Sequence, residues 1–261
     1  MEEDFKLEKI YNENCLDTMR RMPDGFVDLV VTSPPYDGLR KYNGYSFDFN
    51  AVADGLWRTV KDGGVVVWVC SDATVNGGET LTSFKQALHF KEIGFNVYDT
   101  MIWLKPSPQA PTEGRYYNVF EYMFVLSKGV PAHMHLLKDR ANKSAGQVSR
   151  RETRSCREDR KVTDRKRVVA ETSRRFNVWE ISRGHNETSH PAVFPEELVR
   201  GHILSWSDEG DIVYDPFMGS GTTAKVAHLL GRKWVGSEIS EDYVKMAEER
   251  IRAAVSQDRL F

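Results

Sequence analysis

Apolar positions along the chain follow two alternating patterns. Continuous runs rich in β-branched residues occur at 26–33 (FVDLVVTS) and 65–71 (VVVWVCS), the pattern of strands buried on both faces. Shorter or longer strands are predicted at 6–12, 95–105, 211–215 and 232–240, and 118–129 could pair with 95–105. Between them, apolar residues at helical spacing predict helices over 15–22, 49–60, 83–94, 194–207 and 241–255, with a further helix after a glycine-rich turn that follows residue 215. KDGG (61–64) has the composition of a turn, and Gly94 sits where a helix C-cap glycine belongs. Strands alternating with helices predict an α/β fold with a doubly wound, mostly parallel sheet. The alternation fails over 130–180, which divides the chain into 1–129, an inserted segment at 130–180, and 181–261.

Charge sharpens that division. The 261 residues carry a net charge of −2, from 36 Lys+Arg and 38 Asp+Glu. Residues 138–175 alone hold 14 Lys+Arg against six acids, a local +8, so the remainder stands at −10. A basic segment on an acidic body suits a polyanion partner, and a solvated loop is the plainer alternative. There is no apolar run of membrane-spanning length, and the charged N-terminus MEEDFKLEK is not a secretory signal, so a cytoplasmic protein is expected. Cys15, Cys70 and Cys156 form no CxxC pair and no Cys/His cluster, which argues against a disulfide framework and against a structural zinc site. No bound metal is expected.

Two turns carry candidate chemistry. In DPFMGSGTT (Asp215–Thr223), Gly219 and Gly221 lie between a strand and a helix, where backbone N–H groups suit an anionic group. The spacing matches neither GxxxxGK[ST] nor GxGxxG, which excludes a P-loop and opposes a nicotinamide oxidoreductase. Glu238 ends the next predicted strand, the position at which doubly wound folds bind ribose hydroxyls. The second turn, Thr32–Ser33–Pro34–Pro35–Tyr36, follows a buried strand. Two prolines fix the backbone, so that its carbonyls, a serine hydroxyl and an aromatic face suit a planar base bearing an amino group. Each turn taken alone also reads as an ordinary strand-terminating turn.

Together, TSPPY and DPFMGSGTT resemble the motifs of the S-adenosylmethionine-dependent DNA amino-methyltransferases, with the catalytic loop first, as in the β group. The resemblance spans about residues 8–255 and implies a Rossmann-like methyltransferase fold with permuted motif order. It implies catalytic roles for Ser33, Pro34, Pro35 and Tyr36. It places the cofactor at Asp215, Phe217, Gly219, Ser220, Gly221 and Thr222, with Glu238 at the ribose and Ile239 beside the adenine. Asn14 and Cys15 stand where the family usually has an Asp near the adenine amine. His190–Leu198 resembles a segment enclosing the methionine end, and Asp72 is either a further cofactor-side residue or a strand-end cap.

The resemblance also implies that 1–129 is the catalytic part, 130–180 the target-recognition insertion and 181–261 the cofactor-binding part of one domain. Arg151, Arg154, Arg165, Lys166 and Arg167 are the expected DNA contacts. The expected substrate is a base flipped out of double-stranded DNA. SPPY leans toward N4 of cytosine, with N6 of adenine as the alternative; C5 methylation is excluded, because no Pro-Cys loop is present. An inactive DNA-binding homologue is the non-enzyme alternative. A cognate restriction endonuclease is a candidate partner, and a monomer or homodimer is expected.

Overall fold

The computed structural model describes residues 5–35, 47–106, 114–151, 165–182 and 194–258, with 149–151, 165–167 and 257–258 described by their backbone. In chain order the elements are β1 (Lys9–Tyr11), α1 (Cys15–Arg21), β2 (Val27–Thr32), α2 (Phe49–Thr59), β3 (Val60–Cys70), β4 (Thr74–Val75), β5 (Gly78–Glu79), α3 (Thr82–Glu92), β6 (Asn96–Leu104) and β7 (Phe120–Ser127). They continue with β8 (Arg140–Ala141), β9 (Val148–Arg151), β10 (Arg165–Val168), β11 (Thr172–Ser173), β12 (Val178–Glu180), α4 (Glu196–Trp206), β13 (Ile212–Asp215), α5 (Thr222–Leu229), β14 (Lys233–Ser237) and α6 (Glu241–Asp258).

Eight strands form one sheet in the order β1-β14-β13-β2-β3-β7-β6-β12. All are parallel except β7, which runs against both β3 and β6. The expected doubly wound sheet is therefore what the chain forms. From β2 the chain crosses outward to β3; from β13 it crosses the other way, to β14. Right-handed crossovers in opposite directions place their helices on opposite faces. Accordingly α1, α2 and α3 pack with one another, and α4, α5 and α6 form a second group.

The apolar runs are buried as their pattern predicts. Leu29, Val30 and Val31 of β2 and the whole of Val65–Cys70 in β3 lie in the interior, and Trp68, Phe90, Phe95 and Tyr214 are among the large side chains fully enclosed there. Each such side chain contributes roughly 1.5–3 kcal/mol relative to an exposed one. Trp68 keeps its indole N–H satisfied by donating to Gln86 Oε1 at 2.8 Å, which ties β3 to α3.

Two local expectations are refined. The KDGG segment is no turn: β3 begins at Val60 and passes through it, with the register against β2 shifting between Val27 and Leu29. Gly63, at φ +81°, gives its N–H to Lys128 O at 2.6 Å and accepts from Ala132 N at 2.9 Å, so turn-forming residues serve an irregularity inside the sheet. Gly94 does close α3: its N–H bonds Lys91 O, and Phe95 N–H bonds Phe90 O, a Schellman arrangement. A side chain there would meet the Trp57 ring at 2.8 Å.

The chain divides into two compact units, one of residues 1–135 and 177–261, the other Leu136–Phe176. The second unit contains two antiparallel strand pairs, β8 with β11 and β9 with β10, nested as in one interrupted hairpin. Sequence periodicity did not reveal these strands.

Candidate active site

Between β13 and β2 the sheet reverses its direction of winding, and ligands of open α/β sheets bind at the carboxyl ends of strands at such a point. Asp215, the last residue of β13, is buried there. Its Oδ1 accepts from Thr32 Oγ1 at 2.7 Å and from Phe217 N at 3.0 Å, and its Oδ2 accepts from Thr223 Oγ1 at 2.7 Å. The Phe217 contact is an Asx turn across Pro216. Burial pushes the Asp215 carboxyl up to about 6, against the pull of those three donors and with a further push from Glu238. Asp215 thus joins the residue before Ser33 to the glycine-rich turn and to the first turn of α5.

The glycine-rich turn is held from behind. Gly219 and Gly221 both have positive φ, +52° and +79°. A Cβ on Gly221 would lie 2.7 Å from Ala247 Cβ of α6, so this glycine serves helix packing as well as the turn. Arg250 of α6 donates Nη1 to Ser220 O at 2.6 Å, to Ser220 Oγ at 2.9 Å and to Thr222 Oγ1 at 3.3 Å. The Ser220 and Thr222 hydroxyls therefore face α6. Phe217 packs edge-on against Phe47, with ring centroids 4.9 Å apart, and against Trp68.

Glu238 follows β14 and closes the other side of the turn. Its Oε2 accepts from Gly219 N at 2.8 Å and its Oε1 from Ser240 N at 2.9 Å. Burial raises its carboxyl above the usual range despite these donors. Each oxygen retains an acceptor position. Asn12, beyond β1, donates Nδ2 to the carbonyls of Glu238 and Ile239 at 2.9 and 3.1 Å. That clamp fixes the backbone beside Ile239, whose side chain remains 43% exposed at this edge.

Asn14 is the N-cap of α1 and accepts from Leu16 N at 2.9 Å. Cys15 is buried, and burial pushes its thiol up to about 12, which leaves it neutral and unreactive. Asp72 caps α3 from a distance, accepting from Ser83 N at 2.9 Å and Ser83 Oγ at 2.5 Å, which favours the cap over a cofactor contact. Ser33 and Pro35 are half-buried and Pro34 buried, directly after β2. Tyr36, Arg154 and His190 lie outside the described residues. Asn12 and Arg250 are structural participants outside the motifs, and Thr32 and Thr223 are motif residues whose bonds to Asp215 the motifs did not indicate.

In the second unit, β9 and β10 place Arg151 opposite Arg165 and Arg150 opposite Lys166. Like charges directly across an antiparallel pair oppose pairing. Arg140 Nε donates to Arg174 O at 3.2 Å, and Arg175 is paired with Asp139.

Comparison with known proteins bears on the fold and the family. The family described as DNA methylase (N6_N4_Mtase) matches residues 27–249. Orphan methyltransferase M.BamHII of Bacillus amyloliquefaciens is 51% identical over 238 residues, covering 88% of this chain and 90% of its own. Among solved structures, the cytosine-N4-specific PvuII DNA methyltransferase superposes with a TM-score of 0.67 at 20% identity, covering 95% of this chain and 90% of that one. The complex of M1.HpyAVI with SAM superposes with a TM-score of 0.60 at 21% identity, covering 93% and 98%. With its glycine-rich turn, its acidic strand end and its Ser-Pro-Pro loop brought to one edge of the sheet, the chain belongs to the N6/N4 DNA methylase family of S-adenosylmethionine-dependent amino-methyltransferases.

Proposed function

We propose that the protein methylates the exocyclic N4 amine of cytosine in duplex DNA. The observation that carries this reading is the position of Ser33-Pro34-Pro35 at the carboxyl end of β2, joined through Thr32 and Asp215 to the glycine-rich turn. Bound S-adenosylmethionine supplies a methyl group already activated by its sulfonium. The residues present fit that cofactor. Glu238 keeps acceptor capacity for two ribose hydroxyls, Ile239 offers an apolar face for the adenine, and the turn at Phe217–Gly221 would border the methionine portion. Asn14 and Cys15 would stand near the adenine edge, Asn14 chiefly as a helix cap.

Ser33 Oγ and the Pro34 carbonyl would accept hydrogen bonds from the target amine. Those bonds draw the nitrogen lone pair out of conjugation and stabilise the positive charge that develops on nitrogen. The prolines hold the carbonyl in a fixed direction, so little reorganisation accompanies transfer. Tyr36 would stack on the base once it leaves the duplex, a step that costs roughly a few kcal/mol. A neutral serine in place of a carboxamide or carboxylate is what favours cytosine over adenine in this reading.

The basic unit is the proposed DNA reader. A two-stranded ribbon fits the major groove, and the opposed cations of β9 and β10 find their natural counter-charge in phosphates. Arg151, Arg165, Lys166 and Arg167 on this ribbon, and Arg154 beyond it, are the proposed contacts.

The test is transfer from labelled S-adenosylmethionine to mixed-sequence duplex DNA, followed by nucleoside mass spectrometry. N4-methylcytosine is expected; N6-methyladenine would remove Ser33 as the selector of the base. Cofactor binding without any methylated nucleoside would favour an inactive DNA-binding homologue. Ser33→Ala is expected to lose about 1.5–3 kcal/mol of transition-state stabilisation, tenfold or more in rate, at near-normal cofactor affinity. Unchanged turnover would take Ser33 out of the mechanism.

A further inference from the structure

At the end of the sheet opposite the candidate active site, two loops bring together His133, His135, Asp208 and Asp211. The first two follow β7 and the other two precede β13. Asp208 Oδ2 lies 2.9 Å from His133 Nδ1, and Asp208 Oδ1 lies 2.8 Å from His135 Nε2. One ligand atom from each of these three residues falls within 4.8 Å of the others. Asp211 Oδ2 lies 3.3 Å from His133 Nε2 and also accepts the Asp208 N–H at 2.7 Å.

The loop after β7 is anchored. The His135 N–H donates to Ser205 O at the end of α4 at 2.9 Å, and Met134 Sδ takes the Tyr98 hydroxyl at 3.2 Å. The side chains of His135 and Asp208 are 56% and 55% exposed, so an ion can reach them from solvent.

We propose that His133 Nδ1, His135 Nε2 and the Asp208 carboxylate form a site for a divalent first-row transition ion of the zinc type, with water completing its shell. Two imidazoles and a carboxylate select such an ion over magnesium or calcium. The three ligand atoms lie within 4.8 Å of one another, and opening the 2.8 and 2.9 Å contacts by about half an ångström gives the roughly 3.3–3.6 Å edge of a tetrahedron whose arms are about 2.0–2.2 Å. Asp211 supplies the outer partner: a carboxylate on His133 Nε2–H fixes the tautomer that leaves Nδ1 as the ligand. In the ion-free arrangement both ring nitrogens of His133 face carboxylate oxygens. The ion would tie the segment after β7 to the α4–β13 turn. Cysteine spacing alone pointed away from metal; the His-x-His pair at 133–135 carries the opposite signal.

The experiment is calorimetric titration of the full chain, without added histidine tags, with Zn2+ and separately with Mg2+. Uptake of one Zn2+, no uptake of Mg2+, and a Tm rise of about 5 °C at a hundredfold excess over Kd are expected. His135→Gln and Asp208→Asn should each weaken Zn2+ binding tenfold or more and abolish the Tm rise. Asp211→Asn should weaken it about tenfold while keeping one equivalent. Absence of Zn2+ uptake, or undiminished uptake by His135→Gln with a native far-UV spectrum, overturns the proposal. The readouts involve neither DNA nor S-adenosylmethionine, so the assignment stands or falls apart from the methyl-transfer reading.

Discussion

Replacing Asp215 with asparagine isolates the energetics of the junction between the two loops. The side chain keeps its shape, Oδ1 still accepts from Thr32 and Phe217, and the Thr223 hydroxyl can turn toward Val31 O, which it already approaches at 3.3 Å. What disappears is a buried titration. In the folded protein the Asp215 carboxyl is raised from 3.8 to about 6 by burial, so folding favours its protonated form. The associated stability is fully present below the unfolded value of 3.8 and is lost as pH rises through about 6. At 1.36 kcal/mol per unit, the loss is about 3 kcal/mol. Urea unfolding of the parent and of Asp215→Asn, measured from about pH 4 to neutrality, should show the parent losing about 3 kcal/mol relative to the variant across that range. A pH-independent offset affects only the level of the difference curve, not its slope. A flat curve would refute the reasoning. A curve rising with pH would show that the three donors outweigh burial and hold the carboxyl below its ordinary value.

Two further perturbations test other parts of the assignment. Gly221→Ala should lose about 2–4 kcal/mol of stability, from its positive φ and from overlap with Ala247, and adding Ala247→Gly should recover only the share due to the Ala247 Cβ, since its backbone Cα would still lie 3.0 Å away; full tolerance of the single change, read by thermal melting, would show that α6 does not press on the turn. Neutralising Arg165, Lys166 and Arg167 together should weaken DNA binding and flatten its logarithmic salt dependence by about 0.9 for each phosphate that is no longer neutralised, with S-adenosylmethionine affinity unchanged; equal falls in both affinities would refute the assignment of the ribbon to DNA.

The parts of this fold legible in the sequence are those whose residues answer to one environment. VDLVVT and VVVWVC read as strands because a parallel strand covered on both faces needs apolar residues at every position. KDGG misled because glycine and aspartate serve a bulge within a sheet as readily as a turn between elements; only the bonds from Gly63 to Lys128 and Ala132 distinguish them. β12, three residues long, carries no period to detect. The ribbon of β9 and β10 is built from charged residues, so it lacks the alternation that marks a half-buried strand. At the candidate site, Asp215, Gly219, Gly221 and Glu238 stood out through motif spacing. Their partners did not, since Asn12 reaches Glu238 across 226 residues and Thr32 reaches Asp215 across 183. Such pairs follow from strand order, which local pattern does not specify.

Strand order also explains why a side-chain bond is needed at this place. The ladder between β2 and β13 runs through Val213 with Leu29 and Tyr214 with Val30, and ends there. β2 continues along β3 as far as Thr32, paired with Trp68, while β13 continues along β14 as far as Asp215, paired with Gly236. The two strands thus part company toward their carboxyl ends, each following its other neighbour. In open α/β sheets the ligand crevice forms where such a ladder stops. The bonds from Thr32 and Thr223 to Asp215, with the Thr223 contact to Val31 O, are links across that opening. The residue on one side is followed at once by Ser33, and those on the other side flank the glycine-rich turn. A proposed transfer between groups held on opposite lips depends on the width of the opening, and a misplacement of about 1 Å can cost a hundredfold in rate. A buried carboxylate with three donors is well suited to hold that width: its bonds are short and directional, and their low-dielectric setting makes breaking any one of them expensive. On this view the elevated carboxyl of Asp215 and the alignment of the two loops have one cause, the enclosure of a charged group at the point where side chains take over from the backbone in joining the parting strands.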